Sequence, residues 1–435
     1  MKRSPQNPEI IHVCPSRNPG ILALATEQII VDSLMNFPAI LDIAKRVKPD
    51  FAFIAPDDPI GGGLADEFEK IGIPSVAPKK ALARIEASKG FTRELWSKYG
   101  IDAAPRFRVF RNEGAASPSA SLRTGSQREA ISKYIEEELG GNYVVKYDGL
   151  LGGKGVKVSG EHLSSIDEGV SYALECLEKS EQVVIEEKLI GCEFSLMSFV
   201  SGTKVVSMPA VQDHKRAFEG DTGPNTGGMG TYSDANHSLP FLQKKDLDDA
   251  HALNVRTAEA LLKECGEPFK GILYGGFIAT KNGVKLIEYN ARFGDPEALN
   301  VLPLLTSDFV AICQSVISGT LNTKLVQFER KATVCKYIVP AGYPVNKDQK
   351  GQAVTFPKRI PSNARIYFGD LSEDADGTLR LGSSRTAGIV GIGETLAEAE
   401  KIAEDLCEKV TGPVRFRKDI GTAELIQKRV EMMKG

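Results

Sequence analysis

No run of the chain approaches the roughly 18 consecutive apolar residues a membrane span requires, and the opening MKRSPQNPEI lacks the apolar core of a secretory signal. A cytoplasmic location is the expectation. Charge of one sign is also missing, since 54 Lys and Arg face 57 Asp and Glu for a net charge of −3. Without a basic field to draw in a phosphate backbone, nucleic acid is excluded as the natural partner, and phosphate-binding charge has to be local. Cysteine is sparse. Cys14, Cys176, Cys192, Cys265, Cys313, Cys335 and Cys407 are odd in number and show no CxxC spacing, which points to reduced, packed thiols rather than disulfides or zinc.

What is present is enough for a sizeable enzyme. A chain of 435 residues exceeds what one core usually organises, so two to four lobes are expected. Hydrophobic residues at 42% and charged residues at 26% are ordinary for a globular protein, and 42 glycines imply many tight turns or loops that approach a ligand closely.

The first stretch alternates apolar runs with helical patterns: strands at 10–14, 51–55 and near 74–77, and helices around Phe37–Val47 and 64–71. That alternation predicts a parallel α/β lobe with ligand loops beyond the carboxyl ends of its strands, at 15–20 and 56–63. A helix over 83–99 and a strand over 106–110 follow, and 112–128, rich in Ser, Ala, Gly and Arg, reads as a flexible surface insertion. Strands at 143–146, Val156–Val158 and 183–186, with a helix over 164–179, form a small lobe able to move as a lid. Hairpins are predicted at Ser201-Gly202 and at Lys281-Asn282-Gly283, separated by a long helix over 247–263 that Gly266 closes. Strand-rich segments at 333–339 and 365–390, then two helices, read as a separate C-terminal lobe.

Four segments carry chemistry. VVKYDGLLGGKGV puts Lys146 at a strand end and Gly149, Gly152, Gly153, Lys154 and Gly155 in the turn after it, where glycine amides and two lysines can meet phosphate oxygens. An ordinary glycine hairpin with surface lysines has the same pattern. VVIEEKLIGCEFS follows a strand with Glu186, Glu187, Leu189 and Glu193, a hinge whose backbone can meet an adenine edge and whose later carboxylate can accept from ribose hydroxyls. Solvated acids guarding a strand edge would look alike.

VKLIEYNARFGDPEALN is the most informative segment. Glu288 and Asn290 lie two apart on a strand and face one way, two oxygen ligands suited to Mg²⁺ beside nucleotide phosphates. Arg292 continues that face, and Asp295 and Glu297 follow a glycine turn, where ion pairing with Arg292 is an alternative role. QDHKRAFEGDTGPNTGGMGTY, from Gln212 to Tyr232, reads as a long polar loop without structure of its own, which is uncommon unless it binds something.

These segments, in this order with HVCPSRNPG, APDDPI, IEASKGF and RFRKDIG, resemble the phosphoribosylamine–glycine ligases, also called glycinamide ribonucleotide synthetases, of the ATP-grasp superfamily. The resemblance spans nearly the whole chain, and the QDHKR to GGMG and RFGDPE runs are its specific parts. It implies an α/β ATP-grasp fold: a substrate lobe over 1–86, an ATP-grasp domain over 87–312 with a mobile lid at about 105–182, and a C-terminal lobe over 313–435. It implies ligation of glycine to 5-phosphoribosylamine with ATP, through glycyl phosphate, in purine synthesis, with ATP and Mg²⁺ or Mn²⁺ required. Lys89 and Lys146 would contact ATP phosphates, Glu186, Glu187 and Leu189 the adenine, Glu193 the ribose, and Glu288 and Asn290 the metal. Asp213, Lys215, Asn225, Thr226, Arg292 and Asp295 would hold glycine and the amine, and Asn18, Pro19, Gly20 and Asp57 the phosphoribosylamine. Lys146, Arg292 and Asp295 are the catalytic candidates.

Three departures from the family pattern stand out. The family's opening strand and glycine-rich turn have no counterpart before Met1, so the N-terminal lobe is expected to lack its first strand–turn–helix unit. The usual Pro-Glu reads Pro56-Asp57, and Gly-Gly-Arg reads Ser383-Ser384-Arg385. Another ATP-grasp carboxylate–amine ligase and a catalytically silent nucleotide-binding protein are the alternatives.

Overall fold

The structure, a computed structural model, describes residues 1–112, 120–150 and 155–434, with the backbone alone for 120–124. In the N-terminal lobe β1 (Ile11–Cys14) runs parallel to β2 (Glu27–Ile30), and β3 (Ala52–Phe53) parallel to β4 (Ser75–Val76), as two separate pairs. The helix Phe37–Val47 falls where its periodicity puts it: Asn36 accepts from the Ala39 N–H at 3.3 Å, and Lys48 closes it in the left-handed region.

The helix expected over 83–99 is two, Lys80–Ala87 and Lys89–Lys98. Ser88 is extended, and its Oγ accepts from the Phe91 N–H at 3.0 Å while donating to Asp148 Oδ2 at 2.9 Å. The Gly90 N–H donates to Asp148 Oδ1 at 3.1 Å. A carboxylate at the positive end of the second helix makes the break favourable, and it turns Glu86 and Lys89 toward one opening.

Next comes an antiparallel sheet of β5 (Phe107–Arg111), β6 (Tyr143–Tyr147), β7 (Val156–Val158) and β8 (Gln182–Glu187), ordered β5-β8-β6-β7. The helix Ile166–Lys179 lays Val170, Ala173 and Leu177 against it. The expected insertion at 112–128 is corrected in part. Ala120–Lys133 is helical and delivers the fully buried Ile131 to this core, whereas 113–119 lie outside the described residues.

The chain then builds β9 (Cys192–Ser201) and β10 (Lys204–Ser207), turning at Gly202. The polar stretch after them is not structureless: it forms β11 (Gln212–Asp213), β12 (Arg216–Phe218), β13 (Thr222–Asn225) and β14 (Gly230–Ser233). Gly220 and Asp221, both at positive φ, supply the tight β12–β13 turn, so a loop-like composition serves short strands. The helix Lys244–Cys265 packs on a second antiparallel sheet, β10-β9-β15-β16, completed by β15 (Lys270–Thr280) and β16 (Gly283–Asn290). Between helix and sheet, Trp96 Nε1 donates to Thr257 Oγ1 at 2.9 Å and Tyr289 Oη donates to Asn254 Oδ1 at 3.0 Å, so the buried polar groups satisfy one another.

Finally come β17 (Ala332–Pro340), β18 (Ala353–Val354), β19 (Ala364–Phe368), β20 (Leu371–Glu373), β21 (Leu379–Leu381), β22 (Ala387–Gly393) and β23 (Val414–Arg415), with helices Leu396–Cys407 and Ala423–Lys434. One sheet runs β11-β14-β17-β22-β19, with β23 on β17, so it draws strands from both sides of residue 312. No helix of the described residues is long and apolar enough to cross a membrane.

Candidate functional site

A cleft of about 1080 Å³ opens between the two antiparallel sheets and the C-terminal strands. Its floor depends on a parity problem in β16. Val284 and Leu286 enter the core, and so do Tyr289 and Ala291, which strict alternation cannot achieve. A bulge resolves it: Gly276 pairs with Glu288 and Phe277 with Leu286, leaving Ile287 extra. Glu288 and Asn290 then face the cleft, and the Ile287 carbonyl accepts from Lys146 Nζ at 3.0 Å and Arg93 Nη2 at 2.8 Å.

Where β6 and β8 reach the cleft, Lys146 Nζ lies 2.7 Å from Glu186 Oε2, and Arg93 Nε lies 2.6 Å from Glu186 Oε1. All three are buried. Burial lowers the Lys146 pKa and the Glu186 charge offsets part of that; burial would raise Glu186, but Arg93 and Lys146 hold it below the carboxylate range. Glu186 thus sits in the expected hinge but uses its side chain as a counter-ion, and its backbone is paired with Phe107 and Val144 on either side. Glu187 accepts from the Arg106 N–H at 2.8 Å and Nε at 3.0 Å, and with Leu189 it lines the cleft where the chain leaves the sheet.

Lys89 opens its helix and donates to the Gly149 carbonyl at 3.0 Å. Gly155 accepts from the Tyr147 N–H at 2.8 Å at the head of β7; Gly152, Gly153 and Lys154 lie outside the described residues. Glu193 faces Lys215 at 3.7 Å.

Glu288 and Asn290 make no side-chain hydrogen bond or ion pair among the described residues. Burial opposes the Glu288 charge, but Lys215, Lys89, Lys146 and Arg292 outweigh it and hold the carboxyl low, so it is ionised at neutral pH. No group of three His, Cys, Asp or Glu among the described residues could cage a metal alone. Two free oxygen donors beside lysines suit a cation that takes its remaining ligands from phosphates and water, so the residues fit Mg²⁺.

Asp213, at the end of β11, and Lys215 just after it also line the cleft, and the Lys215 carbonyl accepts from the Thr226 N–H at 2.7 Å and Oγ1 at 2.8 Å. Burial, with Glu297 beside it, pushes Asp213 up; Glu193 foremost, then Glu288 and Asp213, hold Lys215 protonated. Glu297 accepts from Tyr274 Oη at 2.8 Å, and burial raises it too. Arg292 Nη2 lies 3.2 Å from Glu86 Oε1, whose partner oxygen accepts from the Ala291 N–H at 2.8 Å. Burial still pushes Glu86 up to about 7, against both. Asp295 Oδ1 accepts from Tyr337 Oη at 2.6 Å, and Arg385 Nη2 donates to Oδ2 at 2.9 Å.

Asp57, Asn225 and Thr226 line the same cleft. The Asn18–Gly20 turn does not: Asn18 caps a short helix at Pro19–Leu22 and donates through Nδ2 to the Phe368 and Gly369 carbonyls at 3.0 Å. Sequence reading missed Arg93, Glu86, Tyr274 and the role of Arg385. A signal existed for two of them, since Glu86 and Arg93 each fall on the apolar stripe of a helix, beside Leu82 and Ile85 or Leu95 and Trp96.

Three family models match the chain: phosphoribosylglycinamide synthetase N domain at 1–86, ATP-grasp (A) domain at 87–298, and C domain at 333–423. A phosphoribosylamine–glycine ligase of Methanococcus maripaludis is 44% identical over 432 residues, covering 98% of this chain and 94% of that one. Among solved structures, the phosphoribosylamine–glycine ligase of Thermotoga maritima superposes with a TM-score of 0.75 at 27% identity, over 94% of this chain and 99% of that one. The biotin carboxylase domain of a Hydrogenobacter thermophilus 2-oxoglutarate carboxylase, solved with MgADP and bicarbonate, gives 0.67 at 14% identity over 99% and 89%, a likeness of fold alone.

Proposed function

Because the chain belongs to the phosphoribosylglycinamide synthetase family, we propose that its cleft joins glycine to 5-phosphoribosylamine at the cost of ATP. It is a carbon–nitrogen ligase of purine synthesis. A glycine carboxylate oxygen attacks the γ-phosphorus of ATP, releasing ADP and leaving glycyl phosphate. The amine nitrogen of phosphoribosylamine then attacks the glycyl carbonyl, phosphate departs, and the nitrogen loses a proton. Phosphate is needed because a free carboxylate resists direct amination.

The observation that carries the assignment of residues is that one cleft gathers Lys89, Lys146, Glu288 and Asn290 together with Asp213, Lys215, Arg292 and Asp295. Lys146, held by Glu186 and the Ile287 carbonyl, would neutralise the transferring phosphoryl group, with Lys89 lining the same cleft. Glu187 and Leu189 offer the adenine hinge, and Glu193 the ribose contact. Glu288 and Asn290 would hold Mg²⁺, which when bound supplies charge to the phosphates. Lys215 and Arg292 suit a glycine carboxylate, and Asp213 and Asp295 suit an amine. The Ser383-Ser384 amides, which both donate to Asp370 Oδ2 at 2.7 Å, and Asp57 border the space left for the phosphoribosyl group.

ADP release that requires both glycine and phosphoribosylamine is the expected result. Tight ATP binding with no turnover on that pair would leave a silent nucleotide-binding protein instead.

A further inference from the structure

One arginine from the segment between β21 and β22 joins the two most specific segments of the chain. Arg385 Nη1 donates to the Gly227 carbonyl at 2.8 Å, the Asp295 carbonyl at 3.0 Å and the Gly228 carbonyl at 3.3 Å, while Nη2 reaches Asp295 Oδ2 at 2.9 Å. Its guanidinium carbon lies 4.6 Å over the Tyr337 ring, and the Tyr337 hydroxyl donates to the other oxygen of the same carboxylate at 2.6 Å. The Arg385 side chain is 16% exposed and that of Asp295 56%, so the clamp is covered while the carboxylate it holds still meets solvent in the cleft.

The turn that Arg385 grips has no slack. Gly228 has a φ of +112°, and a Cβ there would lie 2.5 Å from Pro296 Cδ and 2.7 Å from Asp213 Oδ1. The turn is therefore wedged between Asp213 and the residue after Asp295, and its carbonyls are aimed at Arg385. A planar five-donor fork stacked on a ring can hold three carbonyls and a carboxylate together; an ammonium on a flexible stem cannot.

We propose that Arg385 is a positioning residue for the ligation, fixing the spacing between the Asp213 and Asp295 carboxylates through the Gly227-Gly228 turn, with Tyr337 setting the carboxylate's rotation. It acts on the end of the cleft that meets glycine and the amine and leaves the nucleotide end alone. The inference rests on the ligase reading.

The test is steady-state kinetics of the full chain with Arg385→Lys and Arg385→Ala, alongside ATP affinity of each measured by calorimetry. A carboxylate displaced by about 1 Å should cost on the order of 100-fold in kcat/KM for glycine or phosphoribosylamine, with ATP affinity within about twofold of wild type. Guanidinium at millimolar, non-denaturing concentration should restore part of the Arg385→Ala activity and none of the Arg385→Lys loss, a readout that general destabilisation would not give. Wild-type kcat/KM in both variants overturns the inference, as does an equal fall in ATP affinity, or an alanine variant that guanidinium leaves unchanged. A wild-type chain that fails to turn over the substrate pair removes the ligase reading itself, and the inference with it.

Discussion

Two glutamates in the cleft have opposite relations to the protein, and substitution separates them. Glu186 is buried between Arg93 and Lys146, so Glu186→Gln leaves two cations facing each other without a counter-charge. Urea unfolding should report a loss of about 3–5 kcal/mol. Glu288 makes no direct hydrogen bond or ion pair among the described residues and feels only the field of nearby cations, so Glu288→Gln should cost less stability than Glu186→Gln while kcat/KM for ATP falls roughly 100-fold or more, because charge stabilisation of this kind is what phosphoryl transfer relies on. Magnesium titration of ADP release checks it, and an unchanged rate at limiting Mg²⁺ removes the metal assignment. The difference between the two was only half legible. Strand alternation exposes Glu288 and Asn290, whereas Glu186 takes its partner from a helix 93 residues earlier, a distance no local pattern spans.

The β16 bulge is the element on which the site turns, since Tyr289 must stay in the core for its two neighbours to face the cleft. Its hydroxyl lies 3.0 Å from Asn254 Oδ1 and 3.1 Å from Thr257 Oγ1. Tyr289→Phe strands Asn254 Oδ1 in the core, and thermal or urea unfolding should show a cost of about 1–3 kcal/mol. Magnesium dependence should shift with it if the strand relaxes toward regular alternation. The bulge was readable, because apolar Val284, Leu286, Tyr289 and Ala291 change parity between 286 and 289. Other elements were not. The break at Ser88 depends on Asp148, 60 residues away, and the strands of 212–233 hide in a composition suited to turns because their pairing partners include β17, far along the chain.

Across the whole molecule the C-terminal segment grips the β12–β13 hairpin. Arg417, fully buried, donates to the Arg216 carbonyl at 3.0 Å, pairs with Asp221 at 3.0 Å and with Asp419 at 2.7 Å, and Arg429 closes on Asp221 as well. His214 lies against this network with Nε2 unpartnered, and burial, with Arg417 and Arg429 acting against Asp221 and Asp419, pushes it down to about 4. Unfolded, it titrates near 6.5, so the unfolded chain binds the extra proton between those values. The stability the neutral ring contributes is full above about 6.5 and is lost as pH falls through about 4. Urea midpoints should therefore drop more from pH 7.5 to 5 in the wild type than in His214→Gln; parallel profiles would rule this out.

The sheet that interleaves residues 212–233 with 332–415 also sets a clock on biosynthesis. At 5–20 residues per second, β14 leaves the ribosome roughly 5–20 s before β17 is there to pair with it. Arg385 and Arg429 arrive later still. A nascent chain halted at residue 330 would hold Lys146, Glu288 and Asn290 and yet have an unfinished wall, so even a late nonsense mutation removes part of the cleft along with the tail.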